Sequence, residues 1–129
     1  MERRLTAILA ADVVGYSRLM GANESGTLAA LDALRTDFVN PKISEHQGRI
    51  VKLTGDGMLV EFPSVVNAVA CAAELQRTIR KQNAGTPQDQ RIEFRMGVNV
   101  GDVIVQGEDI LATVSTWRRA WRALPRPAE

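Results

Sequence analysis

The sequence predicts an α+β fold in which helices pack on one face of a largely antiparallel sheet. Period-two apolar patterns occur around residues 5–14, 49–62 and 92–105, and two segments between them carry apolar residues at helical spacing. The Gly55-Asp56-Gly57 triplet inside the second strand-like stretch marks a hairpin tip. The resulting order is strand, helix, strand hairpin, helix, strand hairpin.

LTAILAADVV, near the N-terminus, is rich in β-compatible apolar residues and reads as a buried strand, with Asp12 on the parity of Ile8, Ala10 and Val14. A carboxylate is out of place there. Gly21-Ala22-Asn23-Glu24 then gives an N-cap and an acidic first turn, and Leu28, Leu31, Leu34 and Phe38 recur at helical spacing up to Asn40-Pro41. KISEHQ adds a brief further helical piece before Gly48. Arg49 to Phe62 forms the hairpin, in which Gly55 and Gly57 are expected to supply positive φ angles. Ile50 and Lys52 share one parity there, and Met58, Val60 and Phe62 share a face.

Pro63-Ser64 opens a second helix, with Val65, Ala68, Val69, Ala72, Leu75 and Ile79 on its apolar face and Arg77, Arg80 and Lys81 near its end. NAGTPQDQ is a loop. Ile92, Phe94, Met96, Val98 and Val100 alternate with Glu93, Arg95, Gly97 and Asn99, and a turn is expected at Gly101-Asp102 before the short run Val103 to Val105. This arrangement resembles a ferredoxin-like, or palm-like, core.

The 129 residues make one domain's worth, and 45% hydrophobic with 24% charged residues is ordinary globular usage. No run approaches the roughly 18 apolar residues of a membrane span. The basic start MERR leads to a short apolar run stopped by Asp12, without a cleavage pattern. A cytoplasmic chain is therefore expected, with neither membrane nor nucleic acid as partner. The single Cys71, within AVACAAEL, is expected to be a buried, inert thiol. Charge is uneven: residues 111–129 hold four Arg and one Glu, whereas residues 1–110 hold 12 basic and 14 acidic residues.

Asp12 and Asp56 are the two carboxylates that call for an explanation. Asp-Gly is good turn chemistry, so Asp56 alone carries little. If the first strand and the hairpin are neighbours, however, the two acids meet at one edge of the sheet, where repulsion is costly unless a cation lies between them. Hard divalent ions suit such a pair.

Three stretches, LTAILAADVVGYSRLM, GRIVKLTGDGMLVEFPS and RMGVNVGDVIVQGEDI, resemble in order the catalytic domain of the class III adenylate/guanylate cyclases. The resemblance covers residues 4 to 110. It implies conversion of a nucleoside triphosphate to its 3′,5′-cyclic form and pyrophosphate, with two Mg²⁺ or Mn²⁺ ions held by Asp12 and Asp56. It also implies that Lys52 and Asp109 read the purine. A Lys that donates to a ring nitrogen and an Asp that accepts from an exocyclic amine match adenine, so ATP is the expected substrate. A head-to-tail homodimer is implied, with metal residues from one subunit and purine-reading residues from the other.

The resemblance stops after Ile110. The family continues with a Gly-Asp-Gly stretch, an Asn that orients the ribose and an Arg that stabilises the transition state; here LATVSTWRRAWRALPRPAE follows, and neither role is assigned to any residue. Residues 1–110 are thus read as a partial cyclase catalytic domain lacking the C-terminal part of the fold, its sheet short and part of its core uncovered. Residues 111–129 are read as an aberrant basic tail, since GC-rich codons read two nucleotides later permit the family's next motif, which points to a frame change near codon 111. As written the chain is expected to be inactive in cyclisation. The alternative is a non-catalytic nucleotide-binding or dimerisation remnant. A diguanylate cyclase on a palm-like fold is disfavoured by the lack of a Gly-Gly-Asp-Glu-Phe-like stretch.

Overall fold

Among the described residues five antiparallel strands lie in the spatial order β2-β3-β1-β4-β5. They are β1 (Glu2–Val13), β2 (Arg49–Leu53), β3 (Gly57–Phe62), β4 (Phe94–Gln106) and β5 (Asp109–Ala112). The computed structural model describes residues 2–106, 109–112 and 120, with side chains for 4–105 and 120. The α-helices among the described residues are α1 (Tyr16–Ala22), α2 (Glu24–Leu34), α3 (Asn40–Glu45) and α4 (Val65–Asn83). No helix among the described residues is long and apolar enough to cross a membrane.

β1 is the middle strand, and from Ala7 to Val13 both of its sides carry core residues. Ala7, Leu9, Ala11 and Val13 face the helices and pack with Leu19, Leu31, Ile43, Phe62, Leu75 and Ile79. Ile8 and Ala10 face the other way, with Leu59, Val103 and Ala120. On that second face Ile8, Ala10, Leu59 and Val103 are fully buried, whereas Leu5, Leu53 and Val100 of the sheet are at least half exposed, in keeping with a core left partly uncovered. The sheet curls until its two edge strands, β2 and β5, come into contact, and Ala120, from the basic tail, joins the same cluster at 1% exposure. Right-handed strand twist favours such coiling, and apolar burial rewards it.

Asn23 caps α2 by accepting from the Gly26 N–H at 3.0 Å, and Ser64 caps α4 by accepting from the Asn67 N–H at 3.1 Å, as their residue types predict. Pro41 does not end the helical segment. A π turn over Arg35–Val39, closed by the Asn40 N–H donating to the Arg35 carbonyl, widens the helix just before the ring, and α3 starts with Pro41 in its first turn. That extra residue moves the buried position from Phe38 to Val39, so Leu31, Val39 and Ile43 point inward; Leu28, ahead of the π turn, is 40% exposed. On α4 the core stripe is Ala68, Cys71, Leu75 and Ile79, so Val65 and Val69 are exposed rather than buried.

Two backbone expectations are also corrected. β4 runs straight through Gly101-Asp102 without turning, because those residues pair with Thr6 and Leu5 of the long β1; its hairpin partner is β5. At the β2–β3 tip neither Gly55 nor Gly57 has a positive φ; among the described glycines only Gly15 does, at 64°. The tip is closed instead by the Thr54 N–H donating to the Gly57 carbonyl at 2.9 Å. Gly15 turns the end of β1 directly into α1, a conformation that strains any side chain with a Cβ.

Candidate active site

The segments that carry Asp12 and Asp56 come together at the end of β1. Asp12, next to last in β1, sits between Gly57 of β3 and Arg95 of β4. The next residue, Val13, donates its N–H to the Asp56 carbonyl at 2.9 Å, which pins the hairpin tip to the end of β1. Arg35 braces that tip from the helix side by donating to the Gly55 carbonyl at 3.2 Å. Both acids are half-buried.

Arg95 is the residue that sequence reading passed over. Its guanidinium forks onto Asp12, with Nε at 2.8 Å from Oδ1 and Nη2 at 2.5 Å from Oδ2. Its pKa is raised above the ordinary arginine value, first by the hydrogen bond to Asp12 and then by the negative charges of Asp12 and Asp56, while burial opposes the rise. Both acids therefore act on one guanidinium, whose single positive charge leaves a net charge of about −1 among the three groups. The alternation of β4 had already put Arg95 on its polar side; only the register with β1 shows what it faces.

This donor set fits a hard divalent cation: two carboxylates, one at the end of β1 and one at the β2–β3 tip, on segments joined by the hydrogen bond from Val13 to Asp56. Oxygen ligands suit Mg²⁺ or Mn²⁺.

Lys52 reaches the same sheet face by an irregularity. Ile50 pairs with Val60, but Lys52 pairs with Leu59, so one extra residue is accommodated between them. Ile50 and Lys52 consequently stand on opposite faces, against the simple parity of the sequence, and Lys52 shares the face of Leu59, Ala10 and Asp12. The backbone of Asp109 opens β5, paired with Gln106, and β5 touches β2, so the strands carrying Lys52 and Asp109 meet. The Asp109 side chain lies outside the described residues, as do Arg118, Arg119 and most of the tail.

No family model matches the chain. Over 110 residues it is 51% identical to "Putative adenylate cyclase 3" of Rhizobium meliloti (strain 1021), a match that covers 85% of this chain and 19% of that protein. The crystal structure of an adenylate/guanylate cyclase/hydrolase from Silicibacter pomeroyi superposes with a TM-score of 0.82 at 41% identity, covering 95% of this chain and 70% of that one. The guanylyl cyclase Cya2 gives 0.76 at 26% identity, covering 94% and 69%. With the fold, the three motifs and the Asp12–Asp56 juncture in agreement, the chain belongs to the class III adenylate/guanylate cyclase catalytic-domain family, of which it spans a partial segment.

Proposed function

We propose that residues 1–110 carry the metal-binding and purine-reading part of an ATP-cyclising site, whose reaction in the intact family yields 3′,5′-cyclic AMP and pyrophosphate. The observation that carries this reading is the hydrogen bond from Val13 to Asp56, which places the Asp56 tip beside Asp12. Asp12 and Asp56 hold the metal ions. Two bound Mg²⁺ or Mn²⁺ ions supply charge neutralisation on the triphosphate and a lowered pKa for the ribose 3′-hydroxyl.

The chain's own side chains account for selectivity. Lys52 donates to a ring nitrogen of adenine and Asp109 accepts from its exocyclic amine, a pattern that guanine inverts. Support for pairing them is the contact between β2 and β5. Arg95, held on Asp12 by a bidentate bond, stands where a phosphate oxygen can take over its donors once a cation satisfies the carboxylate. A head-to-tail homodimer supplies the two halves of each site from different copies.

The test is Mn²⁺-dependent binding of ATP and of GTP by calorimetry, with cyclic AMP measured in the same samples. ATP binding that needs the metal, exceeds GTP binding and disappears in both Asp12→Asn and Asp56→Asn supports the assignment. Retention of metal-dependent binding in both variants refutes it. Binding without cyclic AMP formation identifies the chain as a nucleotide-binding remnant.

A further inference from the structure

A second cluster of ligand atoms lies on the helical side of the molecule, at the junction of α3 and α4. His46, the residue that caps α3, bonds through Nε2 to the Glu74 carboxylate of α4. One donor atom each from Glu45, His46 and Glu74 lies within 4.8 Å of the others. We propose that these three residues form a binding site for a transition-metal dication, with Zn²⁺ as the matching ion.

The backbone holds the cluster in place. The His46 N–H donates to the Lys42 carbonyl at 3.1 Å, and the His46 carbonyl accepts from Asn67 Nδ2 at 3.2 Å, which ties the end of α3 to the first turn of α4. Gln47, at φ 64°, then turns the chain away. His46 and Glu74 are thereby presented by two elements fixed to each other, as a preorganised site requires.

Charge points the same way. Glu45 and Glu74 converge on the Lys42 ammonium, at 3.3 Å and 4.0 Å. The Glu74 carboxyl is held below the ordinary glutamate value by its bond to His46 and by the nearby charges of Lys42 and Arg77. A cation is therefore already drawn to this point, and a dication satisfies two carboxylates better than one ammonium does. Exchange is physically easy, because the Lys42 side chain is 30% exposed and can swing into water.

The donor types select the ion. Zn²⁺ binds imidazole nitrogen and carboxylate oxygen at about 2.0–2.2 Å, so two of its ligands lie at most about 4.4 Å apart. The ligand atoms lie within 4.8 Å of one another; Glu45, whose side chain is 59% exposed, can rotate inward, and the His46–Glu74 hydrogen bond opens to admit the ion. Mg²⁺ prefers oxygen ligands and keeps its waters, so it discriminates against an imidazole-containing site. The cluster is separate from Asp12 and Asp56, neither of which is among its ligands.

His46 is the chain's single histidine, so its imidazole proton resonances report on the site without any mutation. The experiment titrates Zn²⁺, and separately Mg²⁺, into the untagged full chain and follows those resonances by NMR. The proposal expects them to shift with Zn²⁺, to saturate at one ion per chain, to return with EDTA and to ignore Mg²⁺. Glu74→Gln is expected to weaken the response about tenfold or more, and Asp56→Asn to leave it unchanged. Resonances unmoved by Zn²⁺ overturn the proposal, as does a Glu74→Gln chain that titrates like the parent. Loss of the response in Asp56→Asn also overturns it, by moving the ion to the other site.

Discussion

Lys52 stands across from Leu59, whereas Ile50, two residues earlier, stands across from Val60. In regular pairing Lys52 would oppose Met58 and face the helices. The extra residue near Val51 turns it to the sheet face that carries Asp12, and so decides whether the lysine belongs to the site at all.

Deleting Val51 takes out the extra residue and leaves Ile50 across from Val60 and Lys52 across from Leu59 in regular pairing, so Lys52 keeps its face. The deletion variant is expected to retain ATP binding, whereas Lys52→Ala is expected to lose roughly tenfold or more, the worth of one hydrogen bond from a charged donor. Mn²⁺ affinity, measured without nucleotide, should be unchanged in Lys52→Ala, because Asp12 and Asp56 are both kept. Wild-type ATP affinity in Lys52→Ala would remove Lys52 from the purine site.

Arg95→Ala leaves the Asp12 carboxylate, 14% exposed, without its counter-charge. Removing one partner of a fully buried pair costs about 3–5 kcal/mol; with the Arg95 side chain 27% exposed, about 2–3 kcal/mol is expected in urea unfolding. Millimolar Mn²⁺ should raise the Tm of Arg95→Ala more than that of the parent chain, since the ion then replaces a missing charge. Equal rises would show that the ion does not bind at Asp12.

Much of this could be read from the sequence, because strands and caps are local and their signals are strong. Asn23 and Ser64 announce their helices through side-chain chemistry, and the alternation through Val98 announces β4. The misreadings concern strand pairing and backbone geometry that residue type alone does not set. Gly101-Asp102 looks like a turn until β1 proves long enough to pair with it. Pro41 looks like a helix end until the π turn makes room for its ring. Asp12 and Asp56 were visible as misplaced acids, one within an apolar strand and the other at a tip. Arg95 was not, since a charged residue on the polar side of a strand is unremarkable until its neighbour is known. The His46–Glu74 contact spans 28 positions between two helices, and no local pattern encodes it.

Glu61 is a buried acid at 5% exposure, and Arg4 neutralises it through two bonds of 3.1 Å and 2.7 Å. Arg4→Ala is expected to cost about 2–3 kcal/mol, chiefly the penalty of a buried carboxylate that has lost those bonds. Arg4→Ala combined with Glu61→Gln should recover more than half of that loss, because the amide carries no charge to bury. Chemical denaturation of the parent chain and these variants gives the comparison. A double variant no more stable than Arg4→Ala alone would mean that Arg4 contributes through packing of its stem instead.

Cys71 provides the pH test. It is fully buried on α4, and burial, followed by the negative charge of Glu74, pushes its thiol up to about 11 from an ordinary value of 9.0. The folded chain thus holds the thiol proton more tightly than the unfolded chain does. The stability linked to it is fully present below about pH 9 and is lost as pH rises from about 9 through about 11. Between pH 8 and pH 11 unfolding should become easier in the parent chain, and less so in Cys71→Ala, which lacks the linkage. A thiol-reactive chromophore at pH 8 should label the parent only when denaturant unfolds it, since a buried protonated thiol is a poor nucleophile. Rapid labelling of the folded chain at that pH would place Cys71 at an accessible surface and contradict its position between α4 and the sheet.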